Sequence, residues 1–395
     1  FTFTLTLLFV INVTGFLVEG MRLAVLQPDW GSWSPVGWAI GQLVLHSGVD
    51  AVTMNSIHLS FWVLHFALVG VLIATLPYST LFHLFTAPLN IFTSSFKPAG
   101  ELETIEDIET TEILGAGTIT ELSWPQLLDF DACTECGRCQ VVCPAHMVGT
   151  PLNPKRLILD LRDHMTEQAD MVLSSGNGHQ ADDQQMVGDV ITRDMLWSCT
   201  TCRACVYECP VLIEHVDTIV DMRRYLALSA GDIPSTVGLS LQNLNRAGNP
   251  WGQPLTARSD WAHGMGVPLM AEKGTADILW WVGCAGSYDE RNQRISKARV
   301  KIFDAAGLNY DILGQDVTCN GDPARRLGDE YTFQVMAKQN IDTLKNYQFS
   351  RIVTACPHCF NTLSTESPSF GAEWEVVHHS QLIGELISAG RLELS

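Results

Sequence analysis

Twelve cysteines, all beyond residue 130, are the side chains of this sequence best suited to chemistry, and they fall into three groups of four. The first run is Cys133-Thr-Glu-Cys136-Gly-Arg-Cys139-Gln-Val-Val-Cys143-Pro144. The second is Cys199-Thr-Thr-Cys202-Arg-Ala-Cys205-Val-Tyr-Glu-Cys209-Pro210. Thiolates at this C-x2-C-x2-C-x3-C-P spacing can wrap an iron–sulfur cubane. Zinc favours paired C-x2-C units, and disulfides require an oxidising compartment and a wider spacing. The three-plus-one run ending in proline therefore points to iron. The third group is looser: Cys284, then 34 residues to Cys319, then Cys356-Pro-His-Cys359. Each of these cysteines directly follows an expected strand or sits in the loop behind one, and ligands collect at the carboxyl ends of such strands. A structural zinc site is the alternative for this group.

The elements that must position these thiols can be read around them. The two close-spaced runs resemble those of bacterial two-cluster ferredoxins, and the resemblance implies crossed ligation. Cys133, Cys136, Cys139 and Cys209 would then hold one [4Fe–4S] cluster, and Cys199, Cys202, Cys205 and Cys143 the other. The 55 residues between Cys143 and Cys199 exceed what a compact ferredoxin needs. Residues 154–165 read as a helix opened by Pro154, residues 174–185 as a polar surface loop, and residues 218–228 as a helix. Helices flank both motifs, so residues 126–235 resemble the α-helical ferredoxin domain of fumarate reductase and heterodisulfide reductase iron–sulfur subunits.

Residues 236–275 lack sustained periodicity and are expected to connect two domains. Beyond them, strands at 278–282, 310–313 and 351–355 alternate with helices at 292–306 and 331–347, an α/β layer. The cysteine pattern of residues 276–395 is similar to the cysteine-rich CCG domain of heterodisulfide reductase-like proteins. The full motif pairs two cysteines before its glycine and holds a noncubane cluster with five thiolates. Asn320 stands at the second position of Cys319-Asn320-Gly321. One thiolate is missing, which favours an ordinary four-cysteine [4Fe–4S] centre as the third cluster.

The first quarter of the chain is a different material. Its first hundred residues hold two basic and three acidic side chains, so nearly all of the formal net charge of -19 falls later. Residues 57–76 contain no Asp, Glu, Lys or Arg, and twenty such residues suffice to cross a hydrocarbon core of about 30 Å. Residues 1–18 form a second apolar stretch. The Pro-, Gly- and Trp-bearing segment 20–55 reads as an interfacial loop with 36–45 lying at the surface. His65 and His83 are 18 residues apart. On one continuous helix that is five turns, placing both imidazoles on one face about 27 Å apart along the axis. This spacing resembles the last haem-binding helix of the respiratory nitrate reductase gamma subunit. It implies that His65 and His83 each ligate a b-type haem, two haems in the full-length protein, with their partner histidines upstream of Phe1. Residues 101–121 carry seven acidic and no basic side chains, so residues 97–125 are expected to be a solvated acidic tether.

The predicted architecture is therefore multidomain. It comprises an incomplete transmembrane b-haem part with nitrate reductase gamma-like α-helices (1–96), the linker, the α-helical ferredoxin, the connecting segment and the α/β CCG-type domain. In this order the parts resemble the membrane-bound electron-transfer-flavoprotein:menaquinone oxidoreductases. That resemblance implies an oxidoreductase that passes electrons from electron-transfer flavoprotein to menaquinone. It also implies a multi-pass position in the cell inner membrane, in contact with lipid, with the iron–sulfur domains on the cytoplasmic side. Such relatives carry a second CCG domain, so the chain is expected to be a fragment truncated at both ends. Two alternatives are a heterodisulfide reductase-like thiol/disulfide oxidoreductase subunit and a non-catalytic electron-relay subunit. The acidic balance excludes a nucleic-acid partner that depends on a basic surface, and no G-x-G-x-x-G or phosphate loop suggests a nucleotide bound by this chain. Arg325, Arg326 and the cluster of Lys297, Arg299 and Lys301 are candidate basic patches for a docking protein, the alternative being solvated surface charge. His358, His378 and His379 are candidates for tuning a cluster, the alternative being ordinary hydrogen-bonded histidines.

Overall fold

The computed structural model describes residues 2–174 and 185–393, and the chain divides into two compact units, Phe1–Leu89 and Asn90–Ser395. Most of the polar loop expected at 174–185 lies outside the described residues.

In the first unit, Thr2–Leu26 and Val52–Tyr78 are long and apolar enough to cross a membrane, with mean hydropathies of 1.7 and 2.2. Asp50 starts the helix Ala51–Thr75, its carboxylate accepting from the backbone N–H groups of Val52 and Thr53 at 3.0 Å each. The expected interfacial segment is a helix, Pro35–His46, that packs back on Thr2–Leu26. Small residues permit the approach: a Cβ at Gly41 would lie 3.0 Å from the carbonyl oxygen of Gly20. The Glu19 carboxylate accepts from Ser34 Oγ at 2.7 Å, pinning the start of the packed helix.

The expectation of one unbroken helix from His65 to His83 is not met. The α-helix ends at Thr75, a tight turn covers Leu76–Tyr78, and Ser79 is extended at φ -128° and ψ 166°. A new helix, His83–Phe92, begins at the second histidine itself. Pro77 lacks an N–H and its ring opposes continued helix, so the five-turn phase relation does not apply.

In the second unit, helices Trp124–Ala132, Pro154–Ser174 and His215–Arg224 surround the two ferredoxin-like loops. Leu157, Ile158 and Leu161 are buried on one face of the long helix, the i, i+1, i+4 pattern of an amphipathic element. The C-terminal part is a four-stranded parallel sheet of order β2-β1-β3-β4, comprising β1 (Thr275–Trp281), β2 (Tyr310–Ile312), β3 (Gln348–Thr354) and β4 (Glu375–His378). β1 is central and buries both faces from Ile278 onward, as a parallel strand covered by helices must. Trp280 meets Trp261, Phe303 and Tyr310 edge-on at 5.2–6.0 Å between ring centroids.

The acidic segment expected to be a tether is a strap packed within this unit. Its backbone carbonyls are the bound groups. Arg326 donates to Gly100 O at 3.2 Å, Arg325 to Leu102 O at 3.1 Å, Arg224 to Glu103 O at 2.6 Å and Gln334 to Ile105 O at 2.8 Å. Farther along, Ala116 N–H donates to Asp221 O at 3.0 Å. Gly115 adopts φ +111°, and any Cβ there would fall 2.2 Å from Tyr225 N. Leu102 and Ala116 are buried while the carboxylates between them stay largely in water. Composition reports those carboxylates and is silent about carbonyls, which is why the tether reading fails.

Candidate metal centres

Both ferredoxin-like loops are built on backbone that ordinary residues avoid. Glu135 and Gly137 have φ of 57° and 79°, and Thr201 and Arg203, at the equivalent places, 54° and 61°. Left-handed residues alternating with right-handed ones turn successive N–H groups inward, which makes a concave anion site. Thr201 N–H accordingly donates to Cys199 Sγ at 3.3 Å, and Ile213 N–H to Cys209 Sγ at 3.4 Å. Each cysteine run then enters a short helix, Arg138–Val142 or Ala204–Tyr207, that buries Cys139 or Cys205.

The two runs exchange their last cysteine. Cys209 lies among Cys133, Cys136 and Cys139, whereas Cys143 lies with Cys199, Cys202 and Cys205 around one cavity walled by Ala145, Leu152 and Val216. These are the two sets that the crossed pattern requires. Burial raises the thiols, Cys139 to about 11 and Cys205 to about 12, so with no cation beside them both sulfurs keep their protons at neutral pH. Cys136 and Cys202 are exposed, leaving one edge of each set at the surface. Arg223, which sequence reasoning missed, donates to the carbonyls of Leu196 and Cys199 and stacks over Trp197 at 5.2 Å.

The third set gathers at the carboxyl ends of adjacent parallel strands. Cys284 follows β1, Cys319 follows β2, and Cys356 and Cys359 follow β3. Cys284, Cys319 and Cys359 are buried. Gly283, at φ +76°, lies against this set, and a Cβ there would come within 3.2 Å of Cys359 Sγ. A hydrogen bond from Cys319 and the Arg258 guanidinium bring the Cys284 thiol down to about 6 against the effect of burial, while sharing that bond pushes Cys319 up. Arg258 comes from the stretch expected only to connect domains. Its Nη1 lies 3.5 Å from Cys284 Sγ, its Nη2 donates to Thr318 O at 3.1 Å, and the residue is 3% exposed. No periodicity or motif marks it in the sequence. Among the described residues no three His, Cys, Asp or Glu side chains are placed to hold a single metal ion.

The candidate accessory residues have local partners. His358 Nδ1 pairs with Asp322 at 3.0 Å, and His378 bonds Ser380 Oγ at 2.7 Å and Ala355 O at 3.1 Å. Arg325 is not a docking residue. It is fully buried, bonded to Glu330 at 3.1 Å and within 3.4 Å of Glu366, and Arg326 pairs with Asp322 and Glu366. Their neighbours, invisible in sequence, turn a basic pair into the core of an ion network. In the first unit, His65 Nδ1 lies 3.0 Å from Thr14 Oγ1, while the break at Ser79 puts His83 on a separate helix.

Residues 126–210 match the 4Fe-4S dicluster domain family and residues 278–364 the CCG cysteine-rich domain family. Over 98% of its length the chain is 34% identical to the EtfAB:quinone oxidoreductase of Syntrophomonas wolfei and 37% identical to the probable iron-sulfur-binding oxidoreductase FadF of Bacillus subtilis. It covers 58% and 60% of those two proteins. Over 71% of its length it is 43% identical to a probable membrane-anchored ferredoxin of Chromohalobacter salexigens, covering 44% of that protein. The chain thus spans about three fifths of the length of the first two relatives. No solved structure matches it at a significant level.

Proposed function

We propose, from the premise that this chain is a homologue of the iron–sulfur oxidoreductases represented by those relatives, that it conducts electrons from reduced electron-transfer flavoprotein to menaquinone. The carrying observation is the gathering of all twelve cysteines into three four-sulfur sets within one compact unit. In this reading Cys133, Cys136, Cys139 and Cys209 hold one [4Fe–4S] cluster, Cys199, Cys202, Cys205 and Cys143 a second, and Cys284, Cys319, Cys356 and Cys359 a third. Bound clusters supply one-electron storage with no bond made or broken. The protein supplies the rest: left-handed turns aim N–H groups at sulfur, burial excludes water, and the exposed Cys136 and Cys202 edges offer contact to a donor or acceptor. Asn320, in place of a fifth thiolate, does not favour disulfide chemistry at the third site.

The two membrane-length helices support a position in the cell inner membrane, with the iron–sulfur unit on the cytoplasmic side. His65 suits a b-haem ligand. Thr14 Oγ1 can give its proton to Val10 O or Ile11 O, at 2.9 and 3.0 Å. It then accepts from His65 Nδ1–H, leaving the Nε2 lone pair for iron. His83 is the second proposed haem ligand, on its own helix. Adding reduced electron-transfer flavoprotein to membranes that contain the full-length protein and menaquinone tests the function. Menaquinol formation that requires the protein is expected. Flavoprotein that stays reduced in the presence of intact clusters would refute the proposed donor.

A further inference from the structure

Four arginines of this unit are buried, and their charges are compensated differently: Arg223 donates to the backbone carbonyls of Leu196, Cys199 and Arg326. Arg224 and Arg325 each face buried carboxylates. Arg258 is as deeply buried, yet among the described residues no carboxylate lies within ion-pair distance of it. Its neighbours are Cys284 Sγ at 3.5 Å, Thr318 O at 3.1 Å and the Tyr288 ring at 5.9 Å. A buried guanidinium without a counter-charge is costly, and Cys284 Sγ is the group within reach of Arg258 that can carry a negative charge. A second unmatched group points to the same place. Asn320 is 4% exposed and its Oδ1 is taken, facing Asp322 N at 3.3 Å and Cys319 Sγ at 3.5 Å. Its Nδ2 is buried with no partner. An amide donor next to a ligand cysteine and without an acceptor is placed to meet sulfur.

We propose that Arg258 and Asn320 are positioning residues that raise the reduction potential of the third centre, Arg258 by its unbalanced charge against Cys284 and Asn320 by an N–H donated to cluster sulfur. This rests on the reading that Cys284, Cys319, Cys356 and Cys359 hold a [4Fe–4S] cluster. Reduction adds one electron to a buried, already anionic group. In a medium of low dielectric a fixed cation within a few ångströms favours the reduced form, and hydrogen bonds to sulfur act in the same direction. The connecting segment thereby becomes part of the centre, and Leu255–Ala262 is the element that delivers the guanidinium.

The test is a potentiometric titration of the anaerobically purified full-length protein, with dithionite as reductant and paramagnetic resonance as readout. Wild type is compared with R258Q, R258K and N320D. R258Q removes the charge but keeps a donor for Thr318 O; N320D keeps the Oδ1 acceptor, removes the N–H and adds a negative charge that also lowers the midpoint, so N320L, which removes the N–H without adding charge, is titrated beside it and should show a smaller fall. The midpoint of the third centre should fall in R258Q and N320D and fall less in R258K, while the two ferredoxin-like centres stay where they are. A retained third centre with an unmoved midpoint in R258Q overturns the inference, as do equal shifts in all three centres. If R258Q loses the centre, an unmoved midpoint in N320D, or a fall in R258K as large as that in N320D, overturns it. Wild-type protein with only two centres would instead sink the underlying cluster assignment.

Discussion

Replacing Glu330 with glutamine should release the strap. Glu330 is fully buried and accepts from Arg224 at 2.8 Å, Arg325 at 3.1 Å and Gln334 at 3.3 Å. The same two arginines bind the strap carbonyls at Leu102 and Glu103. The substituted amide would have almost the same volume as the carboxylate but no charge, leaving two guanidinium groups under-compensated in the interior. Breaking a buried pair on one side costs roughly 3–5 kcal/mol. Arg224 keeps Asp221 at 2.8 Å and Arg325 keeps Glu366 at 3.4 Å, which places the cost near the lower end, about 3 kcal/mol. That corresponds to a roughly 150-fold more frequent opening of the strap. Hydrogen–deuterium exchange reads it directly at Ala116 N–H, whose acceptor is Asp221 O. Adding salt should not mimic the substitution, because buried pairs are poorly screened. Glu366→Gln should act on the same network, so the double variant should depart from additivity. Exchange at Ala116 in E330Q within about threefold of wild type, the scatter of a neutral substitution, would refute the idea that this network holds the strap.

Three further outcomes follow from the same geometry. Cys209→Ser should abolish the resonance signal that Cys133→Ser abolishes, and Cys143→Ser the one lost in Cys199→Ser; loss of the sequence-adjacent centre instead would rule out the crossed sets. Burial holds the His215 imidazole down at about 4, against an ordinary value of 6.5 and despite its bond to Ile213 O. Since the unfolded chain takes up that proton first, stability conferred by neutral His215 is complete above pH 6.5 and is lost as pH falls toward 4. His215→Phe should therefore gain on wild type by about 3 kcal/mol across that window, and parallel denaturation curves at all pH values would count against it. Thr14→Val, which removes the acceptor for His65 Nδ1–H, should alter the resonance spectrum of a haem ligated by His65 and leave the iron–sulfur signals unchanged; an unaltered haem spectrum would remove Thr14 from the ligand's support.

What sequence revealed here depended on whether a group announces itself by type and spacing. The cysteine runs do, because only a narrow spacing lets thiols share a cluster; the crossed grouping was implied by the family resemblance, and the structure places Cys209 near the first run and Cys143 near the second. β1, β2 and β3 were legible from apolar runs between helical periods. β4 was not: it is four residues long, and of these only Val377 is buried. Arg258 carries no pattern, since its role arises from where Leu255–Ala262 folds. The strap was misread because carboxylates dominate its composition while its carbonyls do the binding. The His65–His83 reading failed on one local event, the extended Ser79 after Pro77, which cancels a phase argument that needs every intervening turn intact.

The strap also imposes an order on biosynthesis. Residues 100–105 leave the ribosome long before their partners Arg325, Arg326 and Gln334, which are more than 220 positions downstream. During that interval the carbonyls at Gly100 and Leu102 lack their arginine donors, whereas Glu103 O can already meet Arg224. The early segment is therefore held along its length only after the chain has been made as far as Gln334, so the strap is among the last parts of this unit to close.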